Sequence, residues 1–298
     1  MKLFKLPIYA LAAASMTAST IANAWWDDDD ELEFEEAYLY FELNDTDGDL
    51  GIHGKVDGDA WKWVAIENPN ERRVLYVLTR GGIRKQGLTE LFFESAEPCF
   101  PTNPDCDDPL DPVRFFKRFP EGWYEYEGRT LDGKEIEGEV YLSKRIPAAP
   151  VVLSVGGGTP PEIDEDGELG CWGEPGDDVV IEWMPVTTTH ALLGSDTGAP
   201  LGDNNVIYYE FVVEIDGTEY KSTALVPPGT NSWTVPEEFI DLTEGLMVEN
   251  DEGELEEVEE IKFEIIVRVS DGQDTDDDGD EREPSPGNQS AVESCFDL

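Results

Sequence analysis

The sequence predicts an all-β protein built from two antiparallel β-sandwich-like domains. Short strand-like runs recur along most of the chain: in residues 38–43 the side chains alternate between two faces, and Trp61 to Ile66 is one of the further runs. Turn residues such as Asp57-Gly58 and Asp132-Gly133 separate these runs, and an Asp-Gly pair between two such runs is typical of a β-hairpin. No long stretch has the 3.6-residue period of an amphipathic helix, although Pro112 to Phe119 predicts one or two helical turns.

The first 24 residues predict a secretion signal. Lys2 and Lys5 supply a positive start, an apolar stretch follows, and residues 22–24 (Ala-Asn-Ala) supply the small-x-small cleavage pattern. A membrane anchor is the alternative, but the apolar run is short and Ser and Thr interrupt it. We therefore expect export by a Sec-type pathway to the periplasm or the extracellular space, without membrane insertion.

The chain is strongly acidic, with 68 Asp and Glu residues against 20 Lys and Arg residues and a formal net charge of −48. Nucleic acid and anionic lipid are excluded as partners on this ground, because both need neutralisation by cationic side chains. Residues 25–36 predict a disordered acidic arm that self-repulsion keeps extended. The charge favours a solvated surface whose carboxylates hold cations, and it equally fits adaptation of the whole chain to a saline habitat.

The rest of the chain divides at residues 146–150, where two prolines in five residues predict a stiff junction. Residues 37–145 predict an N-terminal β-domain, and residues 146–298 predict a second β-domain with long polar loops. The strands of the second domain are expected at Val151–Val155, Val179–Met184, Val206–Ile215, Tyr220–Leu225, Ser232–Val235, Ile261–Val269 and Ala291–Phe296.

The four cysteines predict two disulfides, since an even number of cysteines in an exported chain is typical of a disulfide framework. Cys99 and Cys106 lie in one Pro-rich loop and are expected to pair locally, which leaves Cys171 to pair with Cys295. A zinc site is disfavoured because the chain has only two histidines and the cysteine spacings are wide.

The second domain resembles a fibronectin type III domain at five motifs. These motifs match strands A, B, C, F and G of the family and are Pro150, residues 179–185 (Val-Val-Ile-Glu-Trp-Met-Pro), residues 208–214, residues 263–269 and residues 287–290. The resemblance covers about half of the chain and implies an immunoglobulin-like sandwich.

This resemblance carries implications for single residues. It implies that Trp183 of strand B packs in the core beside Tyr209 of strand C. It places Phe263 where the family prefers Tyr, so the hydroxyl-to-backbone bond of a tyrosine corner is expected to be missing. Strand B starts at the pole where strand G ends, so a bond between Cys171 and Cys295 fits the topology.

The whole chain is also similar to uncharacterised secreted bacterial proteins that combine such an N-terminal region with a fibronectin-like domain. The stretches that carry this similarity are Phe41 to His53, Gly87 to Glu97 and Phe119 to Tyr124. It implies no activity.

Two acidic clusters are candidate calcium sites, because alternate carboxylates in a short loop can converge hard oxygen ligands. The candidate residues of the first cluster are Asp45, Asp47, Asp49 and Gly51. Relative to an EF-hand-type loop, Leu50 stands where the sharp turn needs Gly and Val56 stands where a bidentate Glu is needed.

The candidate residues of the second cluster are Asp274, Asp276, Asp278 and Asp280. Gly279 stands at the turn position, but Ser285 stands at the position of the bidentate Glu. Since such spacings also arise by chance in a very acidic chain, solvated loops remain the alternative for both clusters.

Trp61 and Trp63 lie two residues apart, so on a strand they are expected to share one face. Such a pair can stack on a sugar ring, although aromatic pairs more often pack in a core. A carbohydrate-binding accessory protein is therefore one alternative function.

Catalytic motifs are missing from the sequence. It has no Gly-x-Ser-x-Gly, no His-Glu-x-x-His and no phosphate-binding Gly loop, and His53 and His190 are isolated. Carboxylate pairs are abundant, so an acid–base hydrolase stays open as a minor alternative. We expect a secreted, non-enzymatic binding or adhesion-type protein of unknown protein or glycan ligand, with a calcium-stabilised structural module as the other alternative.

Overall fold

The computed structural model describes residues 32–99, 109, 111–163, 169–176, 178–249 and 254–298, which belong to one compact unit. The expected signal peptide (1–24) and residues 25–31 of the expected arm lie outside the described residues. No helix within the described ranges has the length and apolar character needed to cross a bilayer. Strands dominate the secondary structure, which confirms the all-β fold class.

The N-terminal region consists of strands with two short helices. Helix α1 comprises Gly81–Gln86, and helix α2 comprises Pro112–Arg118, where the sequence predicts helical turns. The strands are β1 (Leu32–Glu33), β2 (Glu36–Asn44), β3 (Asp49–Asn68), β4 (Arg72–Leu78), β5 (Leu88–Glu94), β6 (Gly122–Thr130) and β7 (Glu135–Leu142).

Strand β3 organises this region. Its first half pairs with β2 and β5, its second half pairs with β4 and β6, and β6 pairs with β7 through the turn at Asp132-Gly133. The expected turn at Asp57-Gly58 is wrong, because β3 continues through it. Gly58 is needed for packing: a Cβ there would lie 3.1 Å from the side chain of Ile136 and 3.2 Å from that of Phe34.

The end of the expected disordered arm is ordered, which corrects the prediction for residues 32–36. Strand β1 pairs in parallel with Ile136 and Glu137 of β7. Phe34, which is 9% exposed, packs edge-on against Tyr126 with ring centroids 6.4 Å apart. Burial of this ring favours docking of the segment despite the repulsion among the flanking glutamates.

The C-terminal region contains two sheets and short helical segments. Strands β8 (Val151–Val155), β9 (Val180–Met184) and β12 (Ser232–Thr234) form one antiparallel sheet in the order β12-β9-β8. The strands of the other sheet are β10 (Val206–Glu214), β11 (Lys221–Val226), β15 (Glu260–Ser270) and β16 (Pro286–Asp297). They lie in the order β11-β10-β15-β16. The remaining elements are helix α3 (Glu237–Ile240), a 3₁₀ turn (Asp241–Thr243) and the hairpin β13 (Met247–Glu249) and β14 (Leu255–Glu257).

This strand order is that of a fibronectin type III-like sandwich, with a three-stranded A-B-E sheet facing strands C′, C, F and G. Trp183 and Tyr209 are fully buried between the sheets, with ring centroids 5.4 Å apart, as the resemblance implies. The Val186 N–H donates to the Tyr209 hydroxyl at 2.9 Å. Phe263 stacks on Phe211 in the same core.

The two regions share one sheet. Strand β16 also pairs in parallel with β2, so a single 11-stranded sheet extends through both regions, and each region has its own apolar core. Buried Asn288 accepts from the Phe41 N–H at 2.9 Å and donates to the carbonyl oxygens of Ser143 and Arg145 at 2.9 and 3.1 Å. The division into domains at residue 146 stays a prediction.

The structure contains the expected Cys171–Cys295 disulfide, which links residues 124 positions apart. The main chain of Trp172 exchanges hydrogen bonds with Cys295 and Asp297, so the segment before β9 is held along the end of β16. Cys99 is disulfide-bonded, and its expected partner Cys106 lies outside the described residues.

Candidate functional site

The first acidic cluster occupies the turn between β2 and β3. Asp45 Oδ1 lies 3.0 Å from His190 Nε2, whereas Asp47 Oδ2 accepts from the Asn44 side chain at 3.1 Å. Asp49 is already part of β3. Within the described ranges, the sets of three or more candidate ligand atoms that lie within 4.8 Å of one another do not include this loop. The calcium interpretation of Asp45, Asp47, Asp49 and Gly51 therefore stays a prediction.

The second acidic cluster forms the loop between β15 and β16. Its Asp280 N–H donates to Asp276 Oδ1 at 2.7 Å, and the Asp277 N–H donates to Glu139 Oε1 of β7 at 3.1 Å. Arg282, which follows the acidic stretch, forms an ion pair with buried Asp271, which precedes it. The sets of converging ligand atoms in the described chain do not include this loop either, so calcium binding by Asp274, Asp276, Asp278 and Asp280 also stays a prediction.

A histidine–carboxylate cluster, which the sequence does not predict, lies where β2, β3 and β5 meet. His53 of β3 is only 5% exposed. Its Nδ1 lies 2.9 Å from Glu42 Oε2 of β2, and its Nε2 lies 3.1 Å from Glu97 Oε1. The rings of Tyr40 and Phe92 pack around the imidazole, with centroids 5.4 and 5.8 Å away. Both ring nitrogens are therefore held in fixed directions.

Strand pairing places a third carboxylate in this cluster. Glu94 of β5 lies opposite His53 in the β3–β5 register. The next residue, Ser95, accepts from the Ile52 N–H at 3.0 Å and donates its own N–H to Ile52 at 3.0 Å. These two hydrogen bonds hold the chain that leads to Glu97 against β3.

The electrostatics of the cluster follow from burial and the opposed charges. Burial alone would lower the pKa of His53, but hydrogen bonds and charge from Glu42 and Glu97 raise it above its ordinary value. Burial opposes the ionised form of Glu42, yet the hydrogen bond from His53 lowers the Glu42 pKa. Nearby, burial and the charges of Glu97 and Asp47 raise the pKa of Asp49 to about 6.

A second feature is the β4 surface, which we define as strand β4, helix α1 and Trp63. Residues 72–89 contain five Lys or Arg residues and no Asp or Glu, in a chain where acids outnumber bases more than threefold. Val74 and Tyr76 of β4 are each 49% exposed, and Leu78 is exposed beside them. The absence of acids over 18 residues is a sequence signal that whole-chain composition conceals.

The two tryptophans of β3 do not share a face, which corrects the sequence prediction. A register shift between Trp61 and Trp63 interrupts the pairing of β3 with β6. As a result Trp61 is fully buried in the N-terminal core, whereas Trp63 is half-buried and stacks on Tyr76 with centroids 5.9 Å apart. The guanidinium of Arg73 lies 5.5 Å from the centroid of the Tyr76 ring.

Comparisons with known proteins give structural neighbours only, since no protein-family model and no curated protein matches this sequence. One neighbour is a structure that concerns host cell surface retention of a 1.5-MDa bacterial ice-binding adhesin, with 12% identity and a TM-score of 0.23. Another neighbour is a structure of the chicken CNTN1 FN1-FN3 domains, with 8% identity and a TM-score of 0.25. The two matches cover 90% and 89% of this chain. They cover 66% and 64% of the neighbours, so this chain spans less than two thirds of the length of either neighbour. Similarity at this level carries no argument about function.

Proposed function

We propose that this chain is an exported, non-enzymatic binding protein of the adhesion type, and that the β4 surface is its recognition site. Strand β3 of the N-terminal region supports the β4 surface, which combines an exposed apolar row with a local excess of positive charge. The observation that carries the proposal is the open edge of β4, which pairs only with β3 among the described strands.

The open edge can be assigned from the hydrogen bonding. The Thr79 N–H donates to the carbonyl of Lys62 at 2.9 Å, so Thr79, Val77 and Leu75 face β3, up to the register shift between Ile66 and Glu67. The main-chain groups of Tyr76 and Leu78 then face away from β3. An edge of this kind can accept an added strand from another chain, with main-chain bonds giving affinity and side-chain contacts giving specificity.

Charge complementarity indicates the chemistry of the partner. Arg80, Arg84 and Lys85 are exposed next to the end of β4, and Arg72 is exposed at its start. An extended polypeptide with an apolar centre and acidic flanks fits this arrangement. A sugar ring fits less well, because Trp63 and Arg73 already lie against the ring of Tyr76.

The test is selection of displayed random peptides on the full chain, followed by titration of the enriched peptides. We expect enrichment of extended, acidic peptides whose binding is weakened at least tenfold by Tyr76→Glu and by Arg84→Glu. Leu225→Glu is the matched control, because Leu225 lies on a different edge strand, β11, and is 65% exposed. No enrichment, or binding that the β4 variants leave unchanged, would refute the proposal.

A further inference from the structure

We propose that His53, Glu94 and Glu97 form a binding site for a divalent transition-metal ion of the zinc class. One imidazole nitrogen and two carboxylate oxygens of these residues lie within 4.8 Å of one another. The three side chains come from β3, from the end of β5 and from the segment just after it, and fixed strand pairing holds them together.

Glu42 acts as the positioning residue for this site. Its carboxylate holds His53 Nδ1 at 2.9 Å, which directs Nε2 towards Glu94 and Glu97. A carboxylate on the remote nitrogen of a ligating imidazole is a recurrent arrangement in metal sites, where it fixes the tautomer and the ring orientation. Packing against Tyr40 and Phe92 restrains the ring further.

The spacing suits a small ion. Ligand atoms about 2.0–2.1 Å from a tetrahedral ion lie about 3.3 Å from one another. His53 Nε2 and Glu97 Oε1 are 3.1 Å apart, so only small movements are needed to insert an ion between them. Glu94 and Glu97 are exposed, so a water molecule can take the fourth position. On binding, the ion replaces a proton on Nε2, and that proton passes to solvent.

Gly51 provides the space that brings Glu97 into the site. A Cβ at this position would lie 2.6 Å from Glu97 Oε1 and 2.8 Å from its Cγ. Any larger residue would therefore displace the carboxylate while leaving all three ligands in the sequence. The mixed nitrogen and oxygen donors favour zinc-class ions over calcium, which takes six to eight oxygen ligands.

The test is calorimetric titration of the chelator-treated full chain with zinc chloride, in millimolar calcium to saturate weak carboxylate sites. Cobalt(II) replaces zinc in a parallel titration, where visible absorption reports nitrogen and oxygen coordination. We expect one ion per chain, at least a 100-fold loss of affinity in Glu94→Gln and in His53→Ala, and about a 10- to 100-fold loss in Glu42→Gln. Gly51→Ala should weaken binding without removing a ligand.

His190→Ala is the matched control, because His190 is the other histidine of the chain, and it should bind as the wild type does. Circular dichroism of each variant verifies folding, and the exposed Glu94→Gln keeps the test valid if His53→Ala fails to fold. Absence of 1:1 zinc binding in the wild type, or equal binding by Glu94→Gln, would overturn the proposal. Neither outcome bears on the β4 surface.

Discussion

Replacement of Glu264 by Gln should stabilise the protein at neutral pH. Glu264 is half-buried on the outer face of β15 and lies directly opposite Glu293 of β16. Burial raises the pKa of Glu264 to about 7, and the charges of Glu293 and Glu42 add to this effect. Like charges opposite one another on neighbouring strands are destabilising, so the ionised form is a cost to the folded state.

The size and sign of the effect follow from proton linkage. The folded protein keeps the Glu264 proton up to about pH 7, whereas the unfolded chain loses it near its ordinary pKa of 4.5. Stability therefore falls as pH rises through this window. The ionisation of Glu264 lowers the unfolding free energy by about 1 kcal/mol at pH 5 and by about 3 kcal/mol at pH 8. Gln carries no charge at either pH and removes this cost.

Urea denaturation of the wild type and of Glu264→Gln at pH 5 and pH 8 measures the difference. Glu125→Gln is the control for loss of one negative charge, because Glu125 is exposed on strand β6. We expect a gain in unfolding free energy that is larger at pH 8 and exceeds that of the control. A gain equal to that of the control, or one independent of pH, would show that the burial argument is wrong.

Three further predictions concern stability. Trp61→Ala should cost about 3–5 kcal/mol of unfolding free energy because Trp61 is fully buried, and Trp63→Ala should cost clearly less; equal losses in urea denaturation would contradict the assigned faces. Replacing Cys171 and Cys295 by Ser should lower stability by about 4–5 kcal/mol in the chain-entropy model, and an unchanged melting temperature would contradict it. Calcium at millimolar concentration should raise the melting temperature relative to chelator if either acidic loop binds it, with magnesium and salt as controls; no shift would remove the calcium interpretation.

The sequence predicts the C-terminal region well because its signals are local. Alternation locates strands such as β10 and β15, and spacing around Trp183 and Tyr209 matches a known arrangement. The N-terminal region depends on features that alternation does not reveal. Gly58 is needed for packing, but in the sequence the Asp57-Gly58 pair has the appearance of a turn. The register shift beside Trp61 changes which residues share a face.

The histidine–carboxylate cluster could not be predicted from the sequence for a related reason. Glu42, Glu94 and Glu97 are 11, 41 and 44 residues from His53, and they meet it only through the pairing of β3 with β2 and β5. In a chain with 68 acidic residues, nothing marks these three among the others. The β4 surface, in contrast, left a readable signal in the run without acids.

The pairing of β2 with β16 also constrains the order of folding. Phe41 and Asn288, which share a main-chain to side-chain bond, are 247 residues apart, so β2 cannot gain this neighbour until almost the whole polypeptide is available. Contacts of such high sequence separation slow folding, and unpaired strand edges in incomplete chains promote aggregation. Strand β16 thus serves both halves of the molecule, and maturation of the N-terminal half should wait for it.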